Sequence, residues 1–124
     1  MIDHLKIGPV NYQVQEVNDL HDTTEDGKKR WLHGHIRYAD SVIDIGADQS
    51  GDRKVITIWH EAIHGILDNA GHDGHPEALV IALGFGLVQL IRDNPALVQL
   101  TVGESTLAKS VNGNQHPTLA AERP

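Results

Sequence analysis

The first third of the chain alternates between apolar and polar positions with a period of two. Residues 4–7 and 11–17 carry Tyr12 and Val14 against Gln13 and Gln15, with the turn-forming pair Gly8-Pro9 between them, which predicts two short strands. Residues 18–30 are polar and charge-dense, with no periodicity that could bury a face, and are expected to form a solvated loop. Leu32, Ile36 and Tyr38 then resume even spacing. Ala39-Asp40-Ser41 supplies a turn, and a β-branched run over 42–45 ends at Gly46, so a hairpin of roughly 34–45 is expected.

After a turn-rich stretch at 46–53 the period changes to 3.6. Val55, Trp59, Ala62, Ile63, Ile66 and Ala70 share one broad face of a helix from about residue 52 to 70. Thr57, His60, Glu61, His64 and Asp68 fall within roughly 100° of one another on the other side. Gly71 is a helix stop, and Gly71, His72, Asp73, Gly74 and His75 form a polar loop. Pro76 opens a second helix whose body, 78–91, is apolar almost all round and is therefore expected at the centre of the fold. Gly84 and Gly86 within it are expected to permit a close approach to another element. Asn94-Pro95 ends that helix, residues 96–100 predict one more short turn, and the polar residues 101–124 predict a mobile tail. The pattern is α+β: a short, mostly antiparallel sheet packed on one amphipathic helix and one buried helix, in a single domain over 1–100.

Composition narrows the chemistry. In 124 residues there is no cysteine, which excludes disulfide scaffolds, thiolate zinc sites and cysteine nucleophiles, so any metal must be held by nitrogen and oxygen. The formal charge of −7 argues against nucleic-acid and acidic-membrane partners, and the basic cluster Lys28-Lys29-Arg30 falls in the expected loop. The longest apolar run, 78–88, is shorter than the roughly 18 residues of a membrane span, and no secretory or lipidation motif opens the chain. A soluble, cytoplasmic protein is expected. Nine histidines are about three times the usual share.

Two of those histidines carry a specific signal. His60-Glu61-Ala62-Ile63-His64 is an HExxH on the polar strip of the first helix. Histidines at i and i+4 project from one face a turn apart, so both imidazoles can bind one zinc ion without backbone distortion. The glutamate between them can take a proton from water that the metal has acidified and hand it to a leaving amine. In a shuffled chain of this composition the motif would arise in about 3% of cases, so its helical context carries the discrimination. A catalytic zinc site wants three protein ligands and an open fourth position. The candidates for the third are His72, Asp73, His75 and Glu77, of which Glu77, at the start of the second helix, is favoured. A metzincin continuation is excluded, because it needs glycine at Leu67 and histidine at Ala70.

Residues 57–67 (TIWHEAIHGIL), the following Glu77-Ala78-Leu79-Val80 and residues 86–95 (GLVQLIRDNP) resemble the small phage- and prophage-encoded zincin-like metallopeptidases. These are minimal relatives of the gluzincins and, more distantly, of ImmA/IrrE-type peptidases. The resemblance spans roughly 31–95 and includes a glycine-led strand pair, matched by Gly34-His35-Ile36 and Ile43-Asp44-Ile45; the chain departs from it in the histidine-rich loop. It implies a zincin-like fold and a zinc-dependent peptidase in which His60, His64 and Glu77 bind Zn2+ and Glu61 is the general base. It also implies a peptide or protein substrate added to the sheet edge at residues 41–45 and, for a phage-encoded protein, the host cytoplasm as its location. Tyr38, His35 and Arg37 are candidates to stabilise the oxyanion. The alternative is a non-catalytic metal-binding or regulatory interaction module, in which the same site stabilises the small fold.

Overall fold

The computed structural model describes residues 1–103, so the predicted tail lies almost entirely outside the described residues. The chain divides into two compact units, Met1–Val88 and the segment from Gln89 onward. In the first unit the strands are β1 (His4–Ile7), β2 (Val10–Val17), β3 (His21–Thr23), β4 (Lys29–Trp31), β5 (Gly34–Arg37) and β6 (Val42–Gly46). Helix α1 (Gly51–Asn69) follows, then α2 (Glu77–Asp93), whose last residues belong to the second unit together with α3 (Pro95–Val102). The expected short turn at 96–100 is therefore a full helix.

Four strands form one sheet in the order β1-β2-β6-β5. β1 pairs with β2 and β5 with β6 antiparallel, while β2 and β6 run parallel, with Val14 opposite Ile43. Alternation explains its two faces. Leu5, Ile7, Tyr12, Val14, Ile36, Ile43 and Ile45 point to the side that α1 covers and form the core with Ala62. Ile43 and Ile45 are fully buried, each contributing about 1.5–3 kcal/mol by leaving water. On the other face Asp44 is buried beneath Arg37, whose Nε donates to it at 2.9 Å, and Gln15, whose Nε2 donates at 2.8 Å.

Helix α1 is anchored at both ends. Ser50 caps its N-terminus, its Oγ accepting from Arg53 N–H at 3.2 Å, and Asn69 Nδ2 donates to the Ile7 carbonyl at 2.8 Å. Lys54 adds an ion pair to Glu16 at 2.7 Å. The buried face of α1 differs from the expected one. Thr57, Glu61, Ala62, Ile63 and Gly65 face inward, whereas Val55 and Ile66 are exposed. The reason is contact distance: a Cβ on Gly65 would lie 2.8 Å from Ile7 Cδ1, so the helix sits on the sheet along its small residues rather than its largest ones.

Three other expectations are corrected. The expected loop at 18–30 instead carries most of a hairpin, β3–β4, which ends at Trp31 and is held by the Asp22–Arg30 ion pair, His21 edge-on to Trp31 and Lys29 over the Trp31 ring. Its strands pair through charged and aromatic cross-strand neighbours instead of burying a face, so no hydrophobic period marks them. The run at 41–45 is not a sheet edge: β6 is central, and β5 is the edge on that side. Helix α2 is not buried all round. Val80, Gly84 and Val88, four residues apart, are its buried stripe, while Leu79, Ile81, Leu83 and Phe85 are 40% to 51% exposed. The sheet face is already occupied by α1, leaving α2 only a narrow contact along one stripe. Gly84 faces His60, but a Cβ there would lie 3.7 Å from His60 Cα, an ordinary van der Waals contact, so this approach does not require glycine, and Gly86 faces open space. No single helix among the described residues is long and apolar enough to cross a membrane.

Candidate metal centre and active site

His60 and His64 lie one turn apart in the middle of α1, with their Nε2 atoms 3.2 Å from each other and ring centroids 4.9 Å apart. The chain after α1 then reverses over them. Gly71 N–H bonds to the Asp68 carbonyl and His72 N–H to the Leu67 carbonyl, and Gly71 and Gly74 adopt φ of 84° and 56°, left-handed values that glycine takes without steric cost. Pro76 follows, its carbonyl receiving the first bonds of α2 from the Leu79 and Val80 N–H groups. Glu77 thereby stands over the histidines: Oε1 is 2.6 Å from His60 Nε2 and Oε2 is 3.3 Å from His64 Nε2.

His60, His64 and Glu77 each offer one ligand atom, all within 4.8 Å of one another, a group that could hold a metal ion. A tetrahedral ion with bonds of about 2.0–2.1 Å separates its ligand atoms by about 3.3–3.4 Å. The His60–His64 and His64–Glu77 separations already match that edge, and two imidazoles with one carboxylate are a donor set for a borderline cation. Of the four candidates for the third position, Glu77 converges on the histidines. His72 and Asp73 are exposed and outside this group. His75 is close by in another way, its Nδ1 lying 3.0 Å from His64 Nδ1, on the ring edge away from Glu77.

Glu61 is 5% exposed and lies against the start of β5, where a Cβ on Gly34 would come within 3.1 Å of Glu61 Oε2. Burial, helped by the Glu77 charge, pushes its carboxyl up to about 8; a hydrogen bond from the Ile36 backbone N–H opposes the shift. Its Oε2 is 3.9 Å from His60 Nε2. Burial also holds the His64 imidazole below its ordinary value, against the pull of Glu77.

Two cavities meet at these groups. A larger one of about 570 Å³ is lined by His35, Tyr38, His60, Glu61, His64 and Glu77, among others. The Tyr38 hydroxyl is pushed up to about 12, first by burial and then by the charges of Asp68 and Glu61, so it remains a proton donor at neutral pH. Of the three oxyanion candidates, Tyr38 and His35 reach this cavity. Arg37 does not, being committed to Asp44 and Asp40. A second cavity of about 290 Å³ lies between Trp31, Ile56, Ile81 and Phe85 and opens on His60, Glu61 and Glu77.

Sequence reasoning did not single out Trp31, Ile81 or Phe85. The available signal was scarcity: the chain has two tryptophans, two tyrosines and one phenylalanine, and Trp31, Tyr38 and Phe85 line these cavities. Comparison with protein-family models, with curated proteins and with solved structures finds no match to this chain.

Proposed function

We propose that this chain is a zinc-dependent metallopeptidase of a small zincin-like type. The observation that carries the reading is the convergence of His60, His64 and Glu77 beside the buried carboxyl of Glu61, with cavities opening on the same atoms. His60 Nε2, His64 Nε2 and a Glu77 oxygen would hold the ion. Bound there, zinc supplies Lewis acidity to a peptide carbonyl and to water, and its positive charge brings the Glu61 carboxyl down towards the ionised form.

The protein's own groups divide the remaining work. Glu61, oriented by the Ile36 N–H, accepts a proton from the attacking water. As water oxygen bonds to the carbonyl carbon and the carbon–nitrogen bond breaks, that proton passes to the leaving amine. The Tyr38 hydroxyl is a donor for the carbonyl oxygen as it gains charge. The edge strand beside the site is β5, so an extended peptide would add there, with an apolar or aromatic side chain entering the cavity between Trp31, Ile81 and Phe85. The cavities support this reading over a closed structural metal site, whose ligands would enclose the ion.

The test pairs metal analysis of untagged protein with a proteome-wide cleavage screen of the wild type and Glu61→Gln. The expected result is about one zinc per chain in both and a loss of cleavage of about 10²- to 10⁴-fold in the variant. Unchanged cleavage in Glu61→Gln would exclude the mechanism.

A further inference from the structure

We propose that His75 is a positioning residue for the metal centre: its Nδ1 accepts a hydrogen bond from His64 Nδ1–H and so presents His64 Nε2 to the ion. The inference rests on the metal-binding part of the reading above and not on peptide cleavage. An imidazole that binds a cation does so through a lone pair, which leaves its ring proton on the other nitrogen. His64 Nε2 faces His60 Nε2 and Glu77 Oε2 at 3.2 and 3.3 Å, so Nε2 is the ligating atom and the proton sits on Nδ1. That Nδ1 is 3.0 Å from His75 Nδ1. With one proton between the two nitrogens, His75 is the acceptor there and carries its own ring proton on Nε2.

The loop is built to hold this acceptor in place. His75 lies between Gly74, in a left-handed conformation, and Pro76, which restricts the preceding residue to extended backbone. Its ring is tilted 39° to that of His64 with centroids 4.7 Å apart. The usual partner for a ligating histidine is a carboxylate, a carbonyl or water. Here an imidazole takes that place. The histidine-rich loop and the first residue of α2 thus supply two groups to the site from opposite sides of His64, His75 to Nδ1 and Glu77 to Nε2.

Side-chain geometry provides the test. Asparagine Oδ1 and leucine Cδ1 occupy the same branch position as histidine Nδ1, one with an acceptor and the other without. Zinc affinity is measured by competition with a chromophoric chelator, and ring tautomers by long-range proton–nitrogen correlation spectra of zinc-loaded protein. His75→Leu is expected to weaken zinc binding about 10- to 100-fold, while His75→Asn stays within about threefold of the wild type. In the wild-type spectrum His64 should be ligated through Nε2 with its proton on Nδ1, and His75 should carry its proton on Nε2. The proposal is overturned if His75→Leu binds zinc as tightly as wild type, if both variants are weakened equally, or if His64 ligates through Nδ1. Absence of zinc binding by the wild type overturns this role together with the ligand set. A protein that shows the expected affinities and tautomers yet cuts no peptide supports the role of His75 and overturns the peptidase reading alone.

Discussion

Glu77 Oε1 lies 2.6 Å from His60 Nε2, although the two residues belong to different helices and are joined by a loop that turns through two left-handed glycines. Glu77 is the exposed member of the group, with 61% of its side chain accessible. Replacing it should therefore cost the metal-free protein little. Thermal unfolding of chelator-stripped protein, with and without added zinc, separates the roles. Wild type should gain about 4 kcal/mol when free zinc is about a thousand times its dissociation constant, and Glu77→Ala should gain far less. An equal response in the two proteins would remove Glu77 from the ligand set.

The buried carboxyl of Glu61 makes the metal-free protein sensitive to pH. Its folded-state value of about 8 lies above the ordinary 4.5, so across that interval the folded chain holds a proton that the unfolded chain has released. The stabilisation is fully present below about 4.5 and is lost as pH rises through about 8. Urea unfolding of chelator-treated protein should show midpoints falling over this window, and Glu61→Gln should flatten the slope. A wild-type midpoint that rises over the same interval would contradict the burial of Glu61.

Gly34 is where β5 and α1 touch. A Cβ there would lie 2.5 Å from Thr57 Cγ2, too close for either backbone to ignore. Gly34→Ala should cost about 1–3 kcal/mol and move Glu61 away from the Ile36 N–H, lowering activity as well. Thr57→Ser deletes the opposing methyl while keeping the hydroxyl that donates to Gln49 Oε1 at 3.0 Å. The double variant should regain about 1 kcal/mol relative to additivity, as measured by a denaturant double-mutant cycle. Strict additivity would show that the two positions do not meet.

Phe85 is 47% exposed and lines the smaller cavity. Phe85→Ala should leave the melting temperature nearly unchanged. Its effect should appear in peptide selectivity: the preference for a large apolar side chain over alanine beside the scissile bond should fall about tenfold in kcat/KM. A loss of activity that is the same for every peptide would place Phe85 outside the side-chain pocket.

The parts of the fold that were legible in the sequence are those set by near neighbours along the chain. Alternation located β1, β2 and the β5–β6 hairpin, and the 3.6-residue period located α1 to within a residue at each end. The same reasoning misjudged burial. The apolar composition of α2 suggested a central helix, yet a helix buries only what it can reach, and the sheet face was already taken by α1. The face of α1 chosen for contact was likewise set by where small residues allowed approach, at Thr57 and Gly65.

For the site, the sequence by itself determined that His60, Glu61 and His64 lie close together, because three residues within two helical turns have a fixed mutual geometry in any α-helix. The third candidate ligand, the free edge beside the site and the partner of His64 Nδ1 depended on tertiary structure. Four loop and helix residues were open for the third position, and chain reversal at Gly71, Gly74 and Pro76 brought Glu77 to one side of His64 and His75 to the other. The parallel pairing of β2 with β6 made β5 the edge. Local spacing encodes neither of these, since both arise from where distant segments pack and how the connecting backbone turns.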